Sequence, residues 1–107
     1  MKIYIAGPMT GIINYNYPAF FDTEKKLYAL GYEVLNPANN DERHDGERFS
    51  KEKTWYMRHA FRMLTDADGV ALLPGWWNSV GASLEEHVAR SMGLEVKPLK
   101  YWLESNG

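Results

Sequence analysis

The chain has 107 residues, a formal net charge of −2 and no cysteine. Its length fits one domain over residues 1–107, with a hydrophobic core of its own. The near balance of charge argues against binding to nucleic acid or to a membrane surface, and the lack of cysteine excludes disulfides, thiolate metal sites and a cysteine nucleophile. Because no apolar run approaches about 20 residues and no signal-peptide pattern opens the sequence, we expect a cytoplasmic protein.

Apolar runs and helical periodicities alternate along the chain. In order, they predict a strand over residues 1–6, a helix over 18–30, a strand over 32–35, a helix over 55–64, a strand over 69–73, a helix over 81–92 and a strand over 94–96. The first run does not alternate polar with apolar residues, which is typical of a strand buried on both faces of a parallel sheet. The polar, charged stretch 38–53 predicts a mobile loop.

This order of elements predicts the fold class. Alternating strands and helices are typical of an α/β protein with a parallel sheet, and right-handed crossovers place helices on both of its faces. We expect an open parallel sheet of four or five strands, of the flavodoxin-like or Rossmann-like kind. A fifth, edge strand is expected in the tail 99–107, through Tyr101, Trp102 and Leu103.

Ligands of such sheets bind outside the carboxyl ends of the strands. The loop after the first strand contains Gly7, Pro8, Met9, Thr10 and Gly11. Its backbone N–H groups and the threonine hydroxyl favour an anion, and its two glycines allow a ligand to approach closely. The loop matches neither a Walker A motif nor a dinucleotide-binding fingerprint, so an ordinary turn is the alternative.

The loop after the third strand, residues 74–81, leads directly into a helix. Asn78 or Ser79 can cap that helix, and free N–H groups beside a hydroxyl form a favourable site for phosphate. Trp76 and Trp77 are adjacent on a loop, so they are not both ordinary core residues. Either one is buried and the other exposed, or the pair forms an aromatic wall for a nucleobase or a sugar.

Two adjacent glutamates on the predicted helix 81–92 differ in their neighbours. Glu86 has Arg90 four residues later, which predicts a solvated ion pair. Glu85 has Gly81, Ala82 and Ala89 four and three residues before it and four after it; these small neighbours leave space for a ligand. We expect the nearby helix N-terminus to favour its ionised form. An ionised, uncrowded carboxylate is a candidate nucleophile for a sugar carbon; an ordinary surface glutamate is the alternative.

Three segments together resemble the nucleoside 2-deoxyribosyltransferase superfamily, and in particular its small bacterial and phage members: residues 3–11 (IYIAGPMTG), 68–76 (DGVALLPGW) and 79–85 (SVGASLE). The resemblance implies that Glu85 attacks C1′ of a 2-deoxyribonucleoside or its 5′-monophosphate and expels the base. It also implies that Tyr4 orients this glutamate. The substrate-binding residues that we infer from the two loops are Gly7, Pro8, Met9, Thr10, Gly11, Trp76, Asn78, Ser79 and Gly81.

The residue at position 79 distinguishes two branches of that superfamily. Transferases usually carry an acidic residue there, which accepts a bond from a free 5′-hydroxyl, whereas nucleotide hydrolases carry a serine that faces the 5′-phosphate. Ser79 therefore implies an N-hydrolase of 2′-deoxynucleoside 5′-monophosphates, because a hydroxyl donates to phosphate and a carboxylate repels it. Ala60 departs from the superfamily, which has an aspartate there that helps to protonate or hold the departing base.

Two alternatives remain from the sequence: a deoxyribosyltransferase and a non-catalytic module that binds a nucleotide or a nucleotide-derived signal. The expected partner is a small deoxynucleotide or nucleoside. We expect no organic cofactor and no metal, since His44, His59 and His87 lack metal-ligand spacing. We also expect a homodimer, because 14% of the residues are aromatic and these enzymes often share their sites across a dimer.

Overall fold

The computed structural model of the protein describes residues 1–9, 12–39 and 53–104, without the side chains of Asn14, Lys53, Thr54 and Trp55. In chain order the elements are β1 (Lys2–Ala6), α1 (Tyr17–Ala29), β2 (Glu33–Leu35), α2 (Lys53–Thr65), β3 (Gly69–Leu72), α3 (Val80–Ser91), β4 (Glu95–Pro98) and α4 (Leu99–Glu104). Two 3-10 turns, Ile13–Asn16 and Trp76–Asn78, precede α1 and α3. The predicted mobile loop lies, from residue 40 to 52, outside the described residues.

β1 and β3 form the middle of a parallel sheet whose strand order is β2-β1-β3-β4. Ile3 in β1 lies opposite Val34 in β2 and opposite Gly69 in β3. β2 therefore lies on one side of β1 and β3 on the other, so the direction in which strands are added to the sheet reverses after β2. Open α/β sheets bind ligands at such a reversal, outside the carboxyl ends of the strands. The predicted parallel α/β sheet is confirmed.

Each face of the sheet carries its own apolar core. On one face, Ile3, Ile5, Ala71 and Leu73 pack with Phe20 and Leu27 of α1 and with Trp102 of α4. On the other face, Tyr4, Ala6, Val70 and Leu72 pack with Leu64 of α2 and Ala89 of α3. Helices thus cover both faces, which explains why the central strands are apolar without alternation.

Local sequence signals set the ends of α1. Pro18 lies in its first turn, where a missing N–H costs nothing. Gly31 follows the helix with a φ of 92°, a left-handed conformation that glycine adopts without strain. Asp22 and Lys26, four residues apart, form an exposed ion pair at 2.9 Å. No helix in the described ranges is long and apolar enough to cross a membrane.

The expected fifth strand in the tail is wrong, because Leu99–Glu104 forms the short helix α4. Trp102 is 1% exposed, and its indole Nε1 donates a hydrogen bond to the Val70 carbonyl at 2.9 Å. A Cβ atom on Gly69 would lie 2.6 Å from the Trp102 ring, so the glycine makes room for the indole. Leu99 and Leu103 pack against the same core, and this spacing of three and four residues matches a helix rather than a strand.

Candidate functional site

A cavity of about 400 Å³ opens at the carboxyl ends of β1 and β3. The last residues of these strands, Ala6 and Leu72, are register partners, so the loops that follow them start side by side. The cavity lies between the loop after β1, one side of α2 and the first turns of α3. Residues that are distant in sequence meet there because parallel strands end at the same edge of the sheet.

Tyr4 and Glu85 meet inside this cavity. Tyr4 comes from the central strand β1 and is fully buried, and Glu85 comes from the second turn of α3. The Tyr4 hydroxyl donates a hydrogen bond of 2.5 Å to Glu85 Oε2. Both residues line the cavity. The bond occupies one carboxylate oxygen and leaves Oε1 for another partner.

Burial dominates the electrostatics of this pair. Desolvation raises the pKa of Glu85 to about 7, although the hydrogen bond from Tyr4 acts in the opposite direction. Burial and the neighbouring carboxylate also raise the pKa of Tyr4 well above its usual value, so this phenol stays a proton donor. The expectation that the helix N-terminus keeps Glu85 ionised is therefore not met. A helix dipole acts mainly within the first turn, and Glu85 lies beyond it.

Glu86 has a different environment from its neighbour. Its carboxylate pairs with Arg90 on the next turn of α3, as expected. The Glu86 side chain is only 17% exposed, however, so the pair is less solvated than the sequence predicts. Glu86 is not among the residues that line the cavity. The ion pair thus belongs to the outer side of α3, whereas Glu85 faces inwards.

The start of α3 presents unused backbone donors to the same cavity. Ser79 caps the helix, with its Oγ accepting from the Ala82 N–H at 3.1 Å and its carbonyl accepting from the Ser83 N–H at 2.9 Å. The N–H groups of Val80 and Gly81 are the first two of α3, and no carbonyl of the same helix lies four residues before them to accept a hydrogen bond. A Cβ atom on Gly81 would meet nothing within 4 Å, so there is open space beside these donors. Asn78, Ser79 and Gly81 all line the cavity, as expected for a binding loop.

The loop after β1 forms another part of the lining through Gly7, Pro8 and Met9. A Cβ atom on Gly7 would lie 2.8 Å from the Cβ of Leu73, so only glycine lets the two loops pass this closely. The Asn16 side chain donates from Nδ2 to the Pro8 carbonyl at 2.9 Å and ties the loop to the start of α1. Thr10 and Gly11, which the sequence also places in the site, lie outside the described residues.

The two tryptophans do not form a wall of the cavity. Trp76 packs half-buried against the core cluster beneath α3, whereas Trp77 is 63% exposed. Their rings meet edge to face, with centroids 6.2 Å apart. Neither residue lines the cavity, so Trp76 is a predicted site residue that the structure does not bring to it. Of the two interpretations from the sequence, one partly buried ring and one exposed ring agrees with the structure.

One side of α2 lines the cavity, and the sequence analysis identified only Ala60 there. Tyr56, Met57, Ala60 and Phe61 all contribute. Met57, Ala60 and Phe61 follow Tyr56 by one, four and five residues, so all four lie on one face of a helix. This periodicity is the signal in the sequence that could have revealed them. Arg58 and Arg62 are exposed, and neither they nor His59 line the cavity, so none replaces an acid at position 60.

The described lining divides into a polar end and an apolar side. Glu85, Tyr4, Asn78 and Ser79 supply the polar groups, while Met9, Pro37 and the residues of α2 supply most of the apolar surface. His44 lies outside the described residues, and in the described ranges no three histidine, aspartate or glutamate side chains are grouped to hold a metal ion. The site thus combines a carboxylate, hydroxyl and N–H hydrogen-bond donors and an apolar wall. Such a site suits a small ligand with an anionic group and a flat ring.

Comparisons with known proteins agree with this fold. The family model described as "Domain of unknown function (DUF4406)" matches residues 1–98. No protein with a curated function matches the chain. Among solved structures, the 2-deoxyribosyltransferase of the psychrotolerant bacterium Bacillus psychrosaccharolyticus superposes with a TM-score of 0.71 at 21% identity, covering 90% of this chain and 69% of that chain. The chain therefore belongs to the DUF4406 family, and its fold is that of a 2-deoxyribosyltransferase, as the sequence resemblance implied.

Proposed function

We propose that this protein is an N-glycosidase that releases the base from a 2′-deoxynucleoside 5′-monophosphate, with Glu85 as the nucleophile. The observation that carries the proposal is the bond from Tyr4 to one oxygen of a carboxyl group inside the cavity. This bond orients the group and leaves the second oxygen for an electrophilic carbon. The pKa of about 7 means that a substantial fraction is ionised at neutral pH.

The reaction has two steps, as in glycosidases that retain configuration. In the first, Oε1 of Glu85 attacks C1′ of the deoxyribose and the bond from C1′ to the base nitrogen breaks. In the second, a water molecule attacks C1′, the ester bond to Glu85 breaks and the carboxylate is restored. The water loses one proton in this step, which balances the proton that the departed base takes up. The products are deoxyribose 5-phosphate and the free base. Tyr4 keeps its proton throughout and holds Glu85 in the attacking orientation.

The start of α3 supports a 5′-phosphate on the substrate. The N–H groups of Val80 and Gly81 and the hydroxyl proton of Ser79 are donors, and such donors at a helix N-terminus favour an anion. The open space at Gly81 gives the phosphate room to approach them. We place the sugar between this end and Glu85, with Gly7, Pro8 and Met9 beside it, and the base against the apolar side of α2. From the sequence alone, we propose that Thr10 and Gly11 bind the phosphate.

Transfer of the sugar to a second base shares the first step and is the closest alternative. The solved structure with the same fold is described as a 2-deoxyribosyltransferase. The two reactions differ only in whether water or a base attacks C1′ of the covalent intermediate. Ser79, which is uncharged and suits a phosphate rather than a free 5′-hydroxyl, favours the hydrolase.

A non-catalytic nucleotide-binding module is the second candidate. The observation that favours it is that Glu85 is the only carboxyl group in the described lining, with a pKa raised to about 7. A site of this kind binds a nucleotide through the start of α3 but cleaves it slowly or not at all. This candidate and the hydrolase share every binding contact, so only a measurement of turnover separates them.

The proposal is tested with a panel of deoxynucleoside monophosphates and deoxynucleosides, with and without a second free base. Chromatography measures released base and newly formed nucleoside, and intact mass after an acid quench measures sugar bound to the protein. Release of base from monophosphates without exchange supports the hydrolase, and exchange into a new nucleoside supports the transferase. Binding by calorimetry without any release identifies the binding module and overturns the enzymatic proposal.

We also propose that the protein acts as a homodimer in the cytoplasm. Trp77 in the 3-10 turn before α3 and Val80 and Leu84 in α3 are hydrophobic residues exposed by 63%, 83% and 41%. Val80 also lines the cavity, so a second copy that covers these residues would lie at its mouth. Light scattering at tens of micromolar, where an interface of standard size should persist, is expected to show a dimer that Leu84→Lys dissociates. A monomer in the wild type contradicts the proposal.

A further inference from the structure

Among the described residues, the α2 side of the cavity carries no group that readily gives up a proton. Met57, Ala60 and Phe61 are apolar, and Tyr56 is the remaining α2 residue in the lining. A phenol is a weak acid near neutral pH. Its hydroxyl donates hydrogen bonds more readily than it gives up its proton to a departing base.

The polar end of the cavity does not supply the missing acid. Glu85 is the only carboxyl group in the described lining, and as the nucleophile it must be ionised. Tyr4 donates a hydrogen bond to Glu85 Oε2, and burial beside a carboxylate opposes its ionisation. Ser79 and Asn78 donate hydrogen bonds but do not act as acids near neutral pH. The described lining thus holds a nucleophile without a partner acid.

Cleavage of an N-glycosidic bond moves an electron pair onto the base. When Glu85 Oε1 attacks C1′, the pair of the breaking C1′–N bond goes to the ring nitrogen. The described lining offers no acid to the base, so the base leaves as an anion and afterwards takes a proton from water. A base that holds this charge poorly leaves slowly, because general acid catalysis is worth about 10²–10⁴ in rate and the described lining does not supply it.

We infer that the site selects its substrate by the acidity of the base: it takes 2′-deoxynucleoside 5′-monophosphates whose base is a good leaving group, and its apolar α2 side contributes shape but no proton. This inference rests on the proposed glycosidase activity. It names the substrate class as nucleotides with electron-poor pyrimidines, whose ring nitrogen is acidic, and it disfavours nucleotides whose base needs protonation to leave.

The test is a series of deoxyuridine 5′-monophosphates with increasingly electron-withdrawing groups at C5. Initial rates of base release give kcat/KM, which depends on every step up to and including the first irreversible one, the departure of the base. We expect kcat/KM to fall by roughly tenfold for each unit by which the leaving-group pKa rises, as full charge on the departing nitrogen requires. A shallow dependence means that an acid protonates the base, from whatever part of the chain, and overturns the inference while the glycosidase proposal stands.

Two variants at position 60 sharpen the test. Ala60→Asp places a carboxyl group on the apolar side, and burial there favours its protonated, donating form. It is expected to raise kcat/KM at least tenfold for the poorest leaving group and to leave the best one nearly unchanged. Ala60→Asn matches the aspartate in size but has no acidic proton, so its profile should keep the steep wild-type slope.

Two further outcomes are decisive. If Tyr56→Phe steepens the wild-type slope, the phenol already assists departure and the inference is overturned. If the wild type releases no base even from the best leaving group, the proposed function fails, and the inference falls with it. Should Ala60→Asp not fold, the slope of the wild type decides alone.

Discussion

The inner and outer sides of α3 carry adjacent glutamates with opposite surroundings. Glu85 faces the cavity, bonds to a buried tyrosine and has a pKa raised to about 7. Glu86, the next residue, pairs with Arg90 away from the cavity. A helix turns by about 100° per residue, so neighbours in sequence point into different environments. The difference teaches that the environment of each carboxyl group is set by what its side of α3 meets, since both side chains have the same chemistry.

The largest expected effect separates these two residues directly. Glu85→Gln keeps the size of the side chain but removes the nucleophile, so base release should fall by several orders of magnitude. Glu86→Gln removes an ion pair that lies outside the cavity, so it should change turnover by less than about twofold. Its cost should appear in the free energy of unfolding instead, at about 1 kcal/mol. Initial rates by chromatography decide, with thermal unfolding as a check that both variants fold. Equal rates for Glu85→Gln and the wild type contradict the assignment of the nucleophile.

The pH dependence of turnover tests the environment of Glu85. Only the ionised carboxylate attacks, so kcat/KM should rise with pH by about tenfold per unit below a pKa of about 7 and then level off. The Tyr4 bond lowers this pKa, so Tyr4→Phe should move the rising limb to higher pH. This shift distinguishes Glu85 from the substrate phosphate, whose own ionisation near pH 6 the variant leaves unchanged. If the rising part of the pH profile does not move in Tyr4→Phe, the titration belongs to another group.

The start of α3 is tested by changing charge without changing the cap. Ser79→Asp and Ser79→Asn both keep a side chain that caps a helix well, but only the aspartate adds a negative charge. Calorimetry should show that Ser79→Asp weakens binding of a monophosphate by at least about tenfold, or 1.4 kcal/mol, with a smaller effect on the nucleoside. Ser79→Asn should affect both ligands alike. Equal losses for monophosphate and nucleoside with Ser79→Asp remove the phosphate assignment.

The smallest effect is expected at Gly81, where stability and binding should change in opposite directions. An added methyl group meets no protein atom within 4 Å, and alanine is favoured over glycine in a helix by up to about 1 kcal/mol. Gly81→Ala should therefore raise the midpoint of thermal unfolding slightly. It should also weaken monophosphate binding, because the methyl group enters the space beside the helix N–H groups. Unchanged affinity would show that the phosphate lies elsewhere.

Much of the fold and part of the site follow from local signals in the sequence. The apolar run of β1, the proline and glycine at the ends of α1 and the serine that caps α3 each act on their own neighbours in the chain. The tail was mispredicted because Tyr101, Trp102 and Leu103 suit a strand, whereas the burial of Trp102 beside Gly69 decides for a helix. That contact spans more than 30 residues of sequence, so no local pattern contains it.

The sequence by itself determined the alternation of strands and helices, the two loops at the carboxyl ends of β1 and β3 and the pairing of Glu86 with Arg90. These depend on residues a few positions apart, where propensity, periodicity and charge act directly. Only the tertiary structure decided that Trp76 lies outside the cavity, that α2 supplies its apolar side and that Glu85 has a raised pKa. Desolvation depends on every group packed around a carboxyl, and the Tyr4 hydrogen bond that partly offsets it comes from 81 residues away.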